Sequence, residues 1–151
     1  MKTRFKVGIP YVFIIGLICL TCSGCPVKYV ADYDATMKEE IVQVSKKVDL
    51  FWGNMLDTPA GERIYAKYKD RYNEIETDLR GLVTENDIRP LNKESTKQAQ
   101  NALDLWVQDK ELHKKNDSFT DFEAQRHRKQ FIRVFIAMAK GEEAKNMSPE
   151  K

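Results

Sequence analysis

Apolar residues return at alternating steps of three and four through much of the chain after residue 33, and this spacing is the strongest constraint on the fold. In residues 34–56 the recurring positions are Met37, Ile41, Val44, Val48, Phe51 and Met55. A stripe with this period lies along one face of an α-helix, whereas a half-buried strand would alternate at every second residue. Residues 34–56 are therefore predicted to form the first helix.

Two further segments carry a helical pattern with a start signal. The second helix is predicted over residues 59–84, with Thr58 as its N-cap and Pro59 as its first residue, because proline lacks only an amide that has no partner at that position. The third helix is predicted to begin near Ser95, which with Gln98 matches a capping box.

The fourth helix has the most apolar run of the domain. The third helix is expected to end at residues 116–118, and the fourth to open with a capping box formed by Thr120 and Glu123 and to continue through Lys145. Its residues 131–139 are apolar nearly all round, so this helix is predicted to be the most buried.

Four amphipathic helices joined by short breaks predict an all-α fold. The expected architecture is a four-helix bundle over residues 34–146, most simply with up-down-up-down topology. Residues 147–151 are expected to form a flexible tail.

The N-terminal segment has a different composition. Lys2, Arg4 and Lys6 are followed by an apolar run of 14 residues, 7–20, and no acid occurs before Asp32. A membrane-spanning helix needs about 20 apolar residues. The segment is therefore predicted to be a removable export signal rather than a permanent anchor.

Small residues and thiols follow the apolar run, with Ser23 and Gly24 directly before Cys25. This arrangement resembles the lipobox of bacterial lipoprotein precursors, although Cys22 stands where that class usually has leucine. A frame ending at Cys22 fits less well, because it places bulky Leu20 and branched Thr21 nearest the cut.

The resemblance implies a processing route and a location. Residues 1–24 would be a signal peptide cut by signal peptidase II, Cys25 would carry a diacylglycerol on its thiol, and residues 25–33 would form a short tether. Pro26 stands where the class's inner-membrane retention signal usually has aspartate. The implied location is the periplasmic face of the outer membrane in a host with two membranes, and otherwise the outer face of the cytoplasmic membrane.

Charge and cysteine content limit the partners of the mature chain. Three of the 25 basic residues and none of the 23 acidic residues precede Cys25, which leaves the mature chain with a net charge of −1. The slight basicity of the precursor is thus no argument for nucleic acid, and no nucleic-acid partner is predicted. All three cysteines lie within residues 19–25, so the domain is expected to have no disulfide.

Catalytic and cofactor signals are weak. The sequence has no nucleophile-elbow motif and no phosphate-binding loop, so the protein is predicted not to be an enzyme and no cofactor is assigned. His127 follows Glu123 by four residues, but one histidine and one acid do not make a metal site. No metal site is predicted, and His127 is expected to be capped or solvated.

Two further patterns leave alternatives open. Three tyrosines share the stripe of the second helix at Tyr65, Tyr68 and Tyr72, where we expect the rings to pack and the hydroxyls to reach the end or rim of the bundle.

Four basic residues share one side of the fourth helix: Arg126, Lys129, Arg133 and Lys140. They form either an ordinary solvated face or a face that contacts anionic lipid head groups.

The sequence therefore suggests a lipoprotein of the bacterial cell envelope with a non-enzymatic interaction or accessory role, exerted through a helix face. Its expected partners are the membrane, through the lipid on Cys25, and another envelope protein. The alternative is a small-ligand or metal-binding helical bundle. A cavity beneath the three tyrosines, or inward-facing polar groups around His127, would favour that alternative.

The lipid assignment is testable by mass spectrometry of the protein purified from its host. The mature N-terminus should be Cys25 carrying acyl chains, and Cys25→Ser should accumulate as unprocessed precursor, because the thiol is the acceptor. Efficient processing of Cys25→Ser, or a mature N-terminus at Cys22, would show that the assignment is wrong.

Overall fold

A computed structural model describes residues 29–146. The predicted signal peptide, Cys25 and the predicted tail at 147–151 lie outside this range. Within it the chain forms four long helices and no strand: α1 (Ala35–Asp57), α2 (Tyr65–Asp87), α3 (Lys93–Asn116) and α4 (Asp121–Lys145). A 3₁₀ turn, Ala60–Glu62, lies between α1 and α2. The predicted all-α four-helix bundle is confirmed.

The helices form a ring in which each packs on two neighbours. The most extensive contacts join α1 with α4 and α2 with α3, and smaller contacts join α1 with α2 and α3 with α4. Helices α1 and α4 run antiparallel, since the amide of Asp34, before α1, donates to Glu142, near the end of α4, at 2.9 Å. Helices α2 and α3 do so too, since Tyr72 in the first half of α2 contacts His113 near the end of α3. The short connections of the sequence favour this arrangement, because they can join only adjacent antiparallel helices.

The centre of the bundle is an aromatic cluster. The ring of Phe51 lies 4.5 Å from that of Tyr72 and 4.9 Å from that of Trp106, both in edge-to-face geometry. Trp106 donates its indole N–H to the carbonyl of Tyr72 at 3.0 Å, so its one polar group is satisfied inside the core. Burying each such side chain contributes roughly 1.5–3 kcal/mol.

Two helix ends follow the sequence signals. Asp34 caps α1, where its carboxylate accepts the amide of Thr36 at 2.9 Å. Thr120 and Glu123 form the predicted capping box of α4, with the amide of Glu123 donating to the Thr120 hydroxyl at 3.2 Å.

The predicted start of the second helix is wrong. Thr58 is not an N-cap but the residue that ends α1, and α2 begins only at Tyr65. The buried guanidinium of Arg63 donates to the carbonyls of Thr58 at 2.8 Å and Phe119 at 2.9 Å. These two bonds hold the connection in a loop.

The predicted capping box of the third helix does not start it. Helix α3 begins at Lys93, so Ser95 lies inside the first turn. Asn92 occupies the cap position, but its side-chain amide donates to the carbonyl of Asn86 at 3.0 Å instead of capping the helix. A contact with the preceding helix thus replaces the local cap.

The prediction that the fourth helix is the most buried is also wrong. Ile132 and Ile136 are 39% and 49% exposed. Among residues 29–146, helix α4 packs extensively on α1 and less on α3. No other described helix covers the side on which Ile132 and Ile136 lie, so these apolar residues are exposed.

The assignment of the core face can be tested on α1 with one substitution at two sites. Val44 is 7% exposed and Val42 is 37% exposed. We expect Val44→Asp to lower the free energy of unfolding by about 3 kcal/mol or more, because it buries an unpaired charge. Val42→Asp should change it by less than about 1 kcal/mol. Urea unfolding followed by circular dichroism measures both, and equal midpoints for the two variants would contradict the assignment.

Candidate functional site

The most distinctive surface of the bundle is the open side of α4. Ile132 lies at its border. Along its middle are four exposed basic residues and two exposed apolar ones: Arg126, Lys129, Arg133, Lys140, Phe122 and Ile136. We call these six residues the α4 outer face. They lie opposite the buried stripe of Ala124, His127, Phe131, Phe135 and Met138. The predicted basic side of the fourth helix therefore faces solvent, and it also has an apolar component.

Within residues 29–146, the basic residues of the α4 outer face make no ion pair, although the pKa of Glu123, which hydrogen bonds with Thr120 lower most, is lowered further by the charge of Arg126. Other cations of α4 are paired: Arg128 binds Asp49 with two hydrogen bonds of 2.7 and 2.9 Å, and Lys145 pairs with Glu142. Across residues 29–146, no ion pair involves any of the four basic residues of the face. The charge of this face is therefore available to a partner.

The tyrosine stripe forms part of a packed polar and aromatic core. Tyr72 is fully buried, and its hydroxyl lies 3.2 Å from Nδ1 of His113, whose Nε2 lies 2.6 Å from the carbonyl of Arg63. Burial lowers the pKa of His113 and raises that of Tyr72, which favours the neutral form of both. Tyr68 donates to the Thr58 hydroxyl at 3.1 Å.

The expectation that the tyrosine hydroxyls reach the end or rim of the bundle therefore holds for Tyr68 and is wrong for Tyr72. A shallow surface groove of about 210 Å³ runs beside Tyr68 between α1 and α2. Its border includes Lys47 and Arg71, and both make ion pairs with acids of α2.

His127 is buried rather than solvated. It is 3% exposed, its ring stacks on Trp52 with centroids 5.1 Å apart, and its Nδ1 lies 2.8 Å from a carboxylate oxygen of Asp109. Within residues 29–146, the ring nitrogens of His127 and the indole nitrogen of Trp52 have no hydrogen-bond partner of good geometry. Polar groups do face inward here, but the described chain contains no group of three residues that could hold a metal ion.

A buried carboxylate organises the end of the bundle at which the described chain begins. Glu142 is 1% exposed and accepts hydrogen bonds from the amide of Asp34 and from Arg89, both at 2.9 Å, and from Lys145. Burial alone would raise the pKa of Glu142, but the hydrogen bonds from Arg89, Lys145 and Asp34 outweigh it and hold the pKa below its usual value. Glu142 therefore stays ionised and binds three parts of the chain.

The predicted tether enters the bundle at this same end. Cys25, the predicted lipidation site, lies outside the described residues. The amide of Ala31 donates to the carbonyl of Leu91 at 3.1 Å, and Arg89 donates to the carbonyl of Asp32. The last part of the segment assigned as tether is thus bound to the α2–α3 connection.

The sequence interpretation missed the two apolar members of the α4 outer face. Ile136 was assigned only to the apolar run 131–139, and Phe122 was given no role. The signal was present, because Phe122, Lys129, Ile136 and Lys140 follow one another at steps of seven, seven and four and so fall on one side of a helix.

Comparisons with known proteins give no relative. No protein-family model, curated protein or solved structure matches the chain. No helix within residues 29–146 combines the length and the apolar character that crossing a bilayer requires.

A carboxyl pair between α1 and α2 predicts a pH dependence of stability. A hydrogen bond with Glu85, together with partial burial and the nearby charge of Glu85 and Asp34, raises the pKa of Glu40 from 4.5 to about 7. A raised carboxyl pKa favours the protonated form in the folded state. Its contribution to stability is therefore fully present below pH 4.5 and is lost as the pH rises through 7.

Urea unfolding of the wild type and of Glu40→Gln between pH 8 and pH 5 tests this expectation. The wild type should gain stability relative to Glu40→Gln as the pH falls through about 7, because the variant cannot take up the proton. The pH-dependent contribution of His113 to the free energy of unfolding is the same in both proteins, so it cancels when the two are compared. If the difference in stability between the wild type and Glu40→Gln is the same at pH 8 and pH 5, the raised pKa of Glu40 is contradicted.

Proposed function

We propose that the protein is a lipid-anchored lipoprotein of the bacterial cell envelope that acts without catalysis, by binding an acidic partner protein along the α4 outer face. The observation that carries the proposal is the combination on one helix face of two exposed apolar side chains, Phe122 and Ile136, with four cations that have no ion-pair partner among residues 29–146. Opposite charges would steer the partner, and the apolar groups would supply contact area.

The lipid anchor in this proposal is supported by the sequence pattern of the N-terminal segment, since Cys25 lies outside the described residues. The basic start, the apolar run at 7–20 and the Ser23-Gly24-Cys25 frame resemble the three parts of a lipoprotein signal, with Cys22 as the one departure from the usual lipobox. With Pro26 after the acylated residue, we place the protein on the periplasmic face of the outer membrane in a host with two membranes. In a host with one membrane, the outer face of the cytoplasmic membrane is the corresponding place.

A protein is a better partner for the α4 outer face than the lipid surface. The tether enters at the end of the bundle where α4 finishes, next to Glu142. A bundle held by that end presents the sides of its helices away from the bilayer. Helix α4 has 25 residues and is about 37 Å long, so most of the face lies beyond the head-group layer.

In-cell photocrosslinking tests the proposal. A benzoylphenylalanine at position 136 should crosslink to one discrete envelope protein with an acidic surface. Lys129→Glu combined with Arg133→Glu should reduce the yield about tenfold or more, because like charges then face each other. Both residues are exposed, so folding should be unaffected.

A matched control makes the result specific. Lys69 and Lys115 are also exposed and outside the ion pairs found in residues 29–146, and they lie on α2 and α3. The double variant Lys69→Glu with Lys115→Glu has the same change of net charge and should crosslink like the wild type. An equal loss in both double variants, or no loss in the first, would contradict a specific site on α4.

A further inference from the structure

Four large apolar side chains are exposed together at one end of the bundle. Tyr29 is 81% exposed, Val30 46%, Ile88 75% and Leu91 55%. We call these four residues the apolar tip. Single exposed apolar residues are ordinary, but a group of them at one place marks a contact surface.

Backbone contacts bring the two halves of the tip together. The amide of Ala31, next to Val30, donates to the carbonyl of Leu91 at 3.1 Å. Arg89, next to Ile88, donates to the carbonyl of Asp32. The segment before α1 therefore runs along the α2–α3 connection, and the side chains of both segments project from the same end.

The backbone conformation and the exposure of Leu91 indicate that packing inside the bundle does not favour leucine at this position. Its φ is 60°, in the left-handed region that glycine and asparagine adopt more readily than leucine. More than half of its side chain is exposed, so the strained position brings little burial in return. A contact outside the bundle would account for a large apolar side chain at this position.

The chain itself indicates what covers the tip. Cys25 is only four residues before Tyr29, a distance of at most about 14 Å when extended. The apolar run at 7–20 precedes it. Whether the chain is held by a lipid on Cys25 or by this run, the bilayer surface lies within reach of the tip.

We propose that the apolar tip inserts into the head-group layer of the membrane to which the chain is anchored, so that the bundle stands on this end. The inference rests on the anchoring part of the proposed function and goes beyond it by assigning a membrane-contact surface. Tyr29 suits such a layer because its ring is apolar and its hydroxyl can remain hydrated.

Exposed basic and acidic residues occur in equal number near the apolar tip. The attraction between the tip and a membrane would therefore come mainly from its apolar side chains. Lys93 and Lys97 follow Leu91 in the first turns of α3, the exposed acid Glu94 lies beside them, and the exposed acid Asp87 is the last residue of α2. Insertion by apolar groups depends little on salt, whereas attachment through a basic patch is screened by it. Docking through the tip should therefore persist at high ionic strength.

Tryptophan quenching measures the contact in the full-length chain, reconstituted into vesicles of phosphatidylethanolamine and phosphatidylglycerol that contain brominated lipid. The native Trp52 and Trp106 are fully buried, so they add little quenching. Ile88→Trp should lose at least about half of the added fluorescence, because its indole sits within the 5–10 Å depth of an interfacial contact. The loss should be the same at low and high salt.

Phe122→Trp is the matched control. Phe122 has the same 75% exposure as Ile88 but lies at the start of α4, at the other end of the bundle. Its fluorescence should not change with brominated lipid. If the tryptophan at position 122 is quenched and the one at position 88 is not, the proposed membrane contact of the apolar tip is wrong. The α4 outer face would then be the surface that contacts the bilayer.

A second variant separates docking from folding. Leu91→Asn places a residue that tolerates φ of 60° in that position, so its unfolding midpoint should equal or exceed that of the wild type. In the Ile88→Trp background it should reduce quenching about twofold or more, because one of the four inserting groups is lost. Unchanged quenching in this double variant would overturn the tip as defined.

Flotation of the wild type with the vesicles distinguishes the two proposals. If the chain floats with the vesicles but the tryptophan at position 88 is not quenched, the proposed membrane contact of the tip is wrong and the proposed lipid anchor still stands. A chain that does not float at all overturns both, since neither an anchor nor an inserted tip then holds it to the bilayer.

Discussion

The ionised carboxylate of Glu142 is the interaction on which the arrangement of this bundle most depends. It is almost completely buried and joins the amide of Asp34, before α1, with Arg89 of the α2–α3 connection and Lys145 of α4. Taking one partner from a buried ion pair typically costs about 3–5 kcal/mol, because the remaining charge is left unpaired. Glu142 thereby fixes both the closure of the helix ring and the place where the chain enters it.

Arg63 performs the corresponding task at the opposite end. Its guanidinium is 2% exposed and donates to the carbonyls of Thr58, Leu56 and Phe119 and to the carboxylate of Asp121. A guanidinium has five donors in a fixed plane, which lets one side chain satisfy several loop carbonyls at once. Each end of the bundle is therefore closed by one buried charged residue, and the aromatic cluster around Phe51 fills the space between them.

The sequence was sufficient to predict what depends on local spacing. The stripe from Met37 to Met55 and the capping box at Thr120 each involve residues a few positions apart, so helix α1 and the start of α4 could be located from the pattern alone. The start of α2 could not, because it depends on a bond between Arg63 and Phe119, 56 residues apart. The exposure of Ile136 likewise depends on how many helices pack around α4, which the periodicity of that helix does not reveal.

The same distinction explains why the candidate sites became visible only in the fold. The basic residues of α4 could be placed on one side of a helix, but only the surrounding acids decide whether that side is neutralised. Asp49 pairs with Arg128, and no other acid in the described part of the chain forms an ion pair with Lys129 or Arg133. The apolar tip combines residues 29–30 with residues 88 and 91, which no local pattern connects.

The two proposed surfaces constrain each other through the geometry of α4. This helix ends beside the tether and extends for about 37 Å along the bundle, so Lys140 lies near the tip and Phe122 lies far from it. A bundle that stands on its tip holds the α4 outer face roughly upright, with each of its residues at a fixed height above the bilayer. A partner that binds the whole face must then present acidic groups over that same range of heights. This requirement selects a membrane-proximal protein and excludes one that remains more than a helix length from the surface. The short span between Cys25 and Tyr29 has the same consequence, since it cannot extend the reach of the domain by more than about 14 Å.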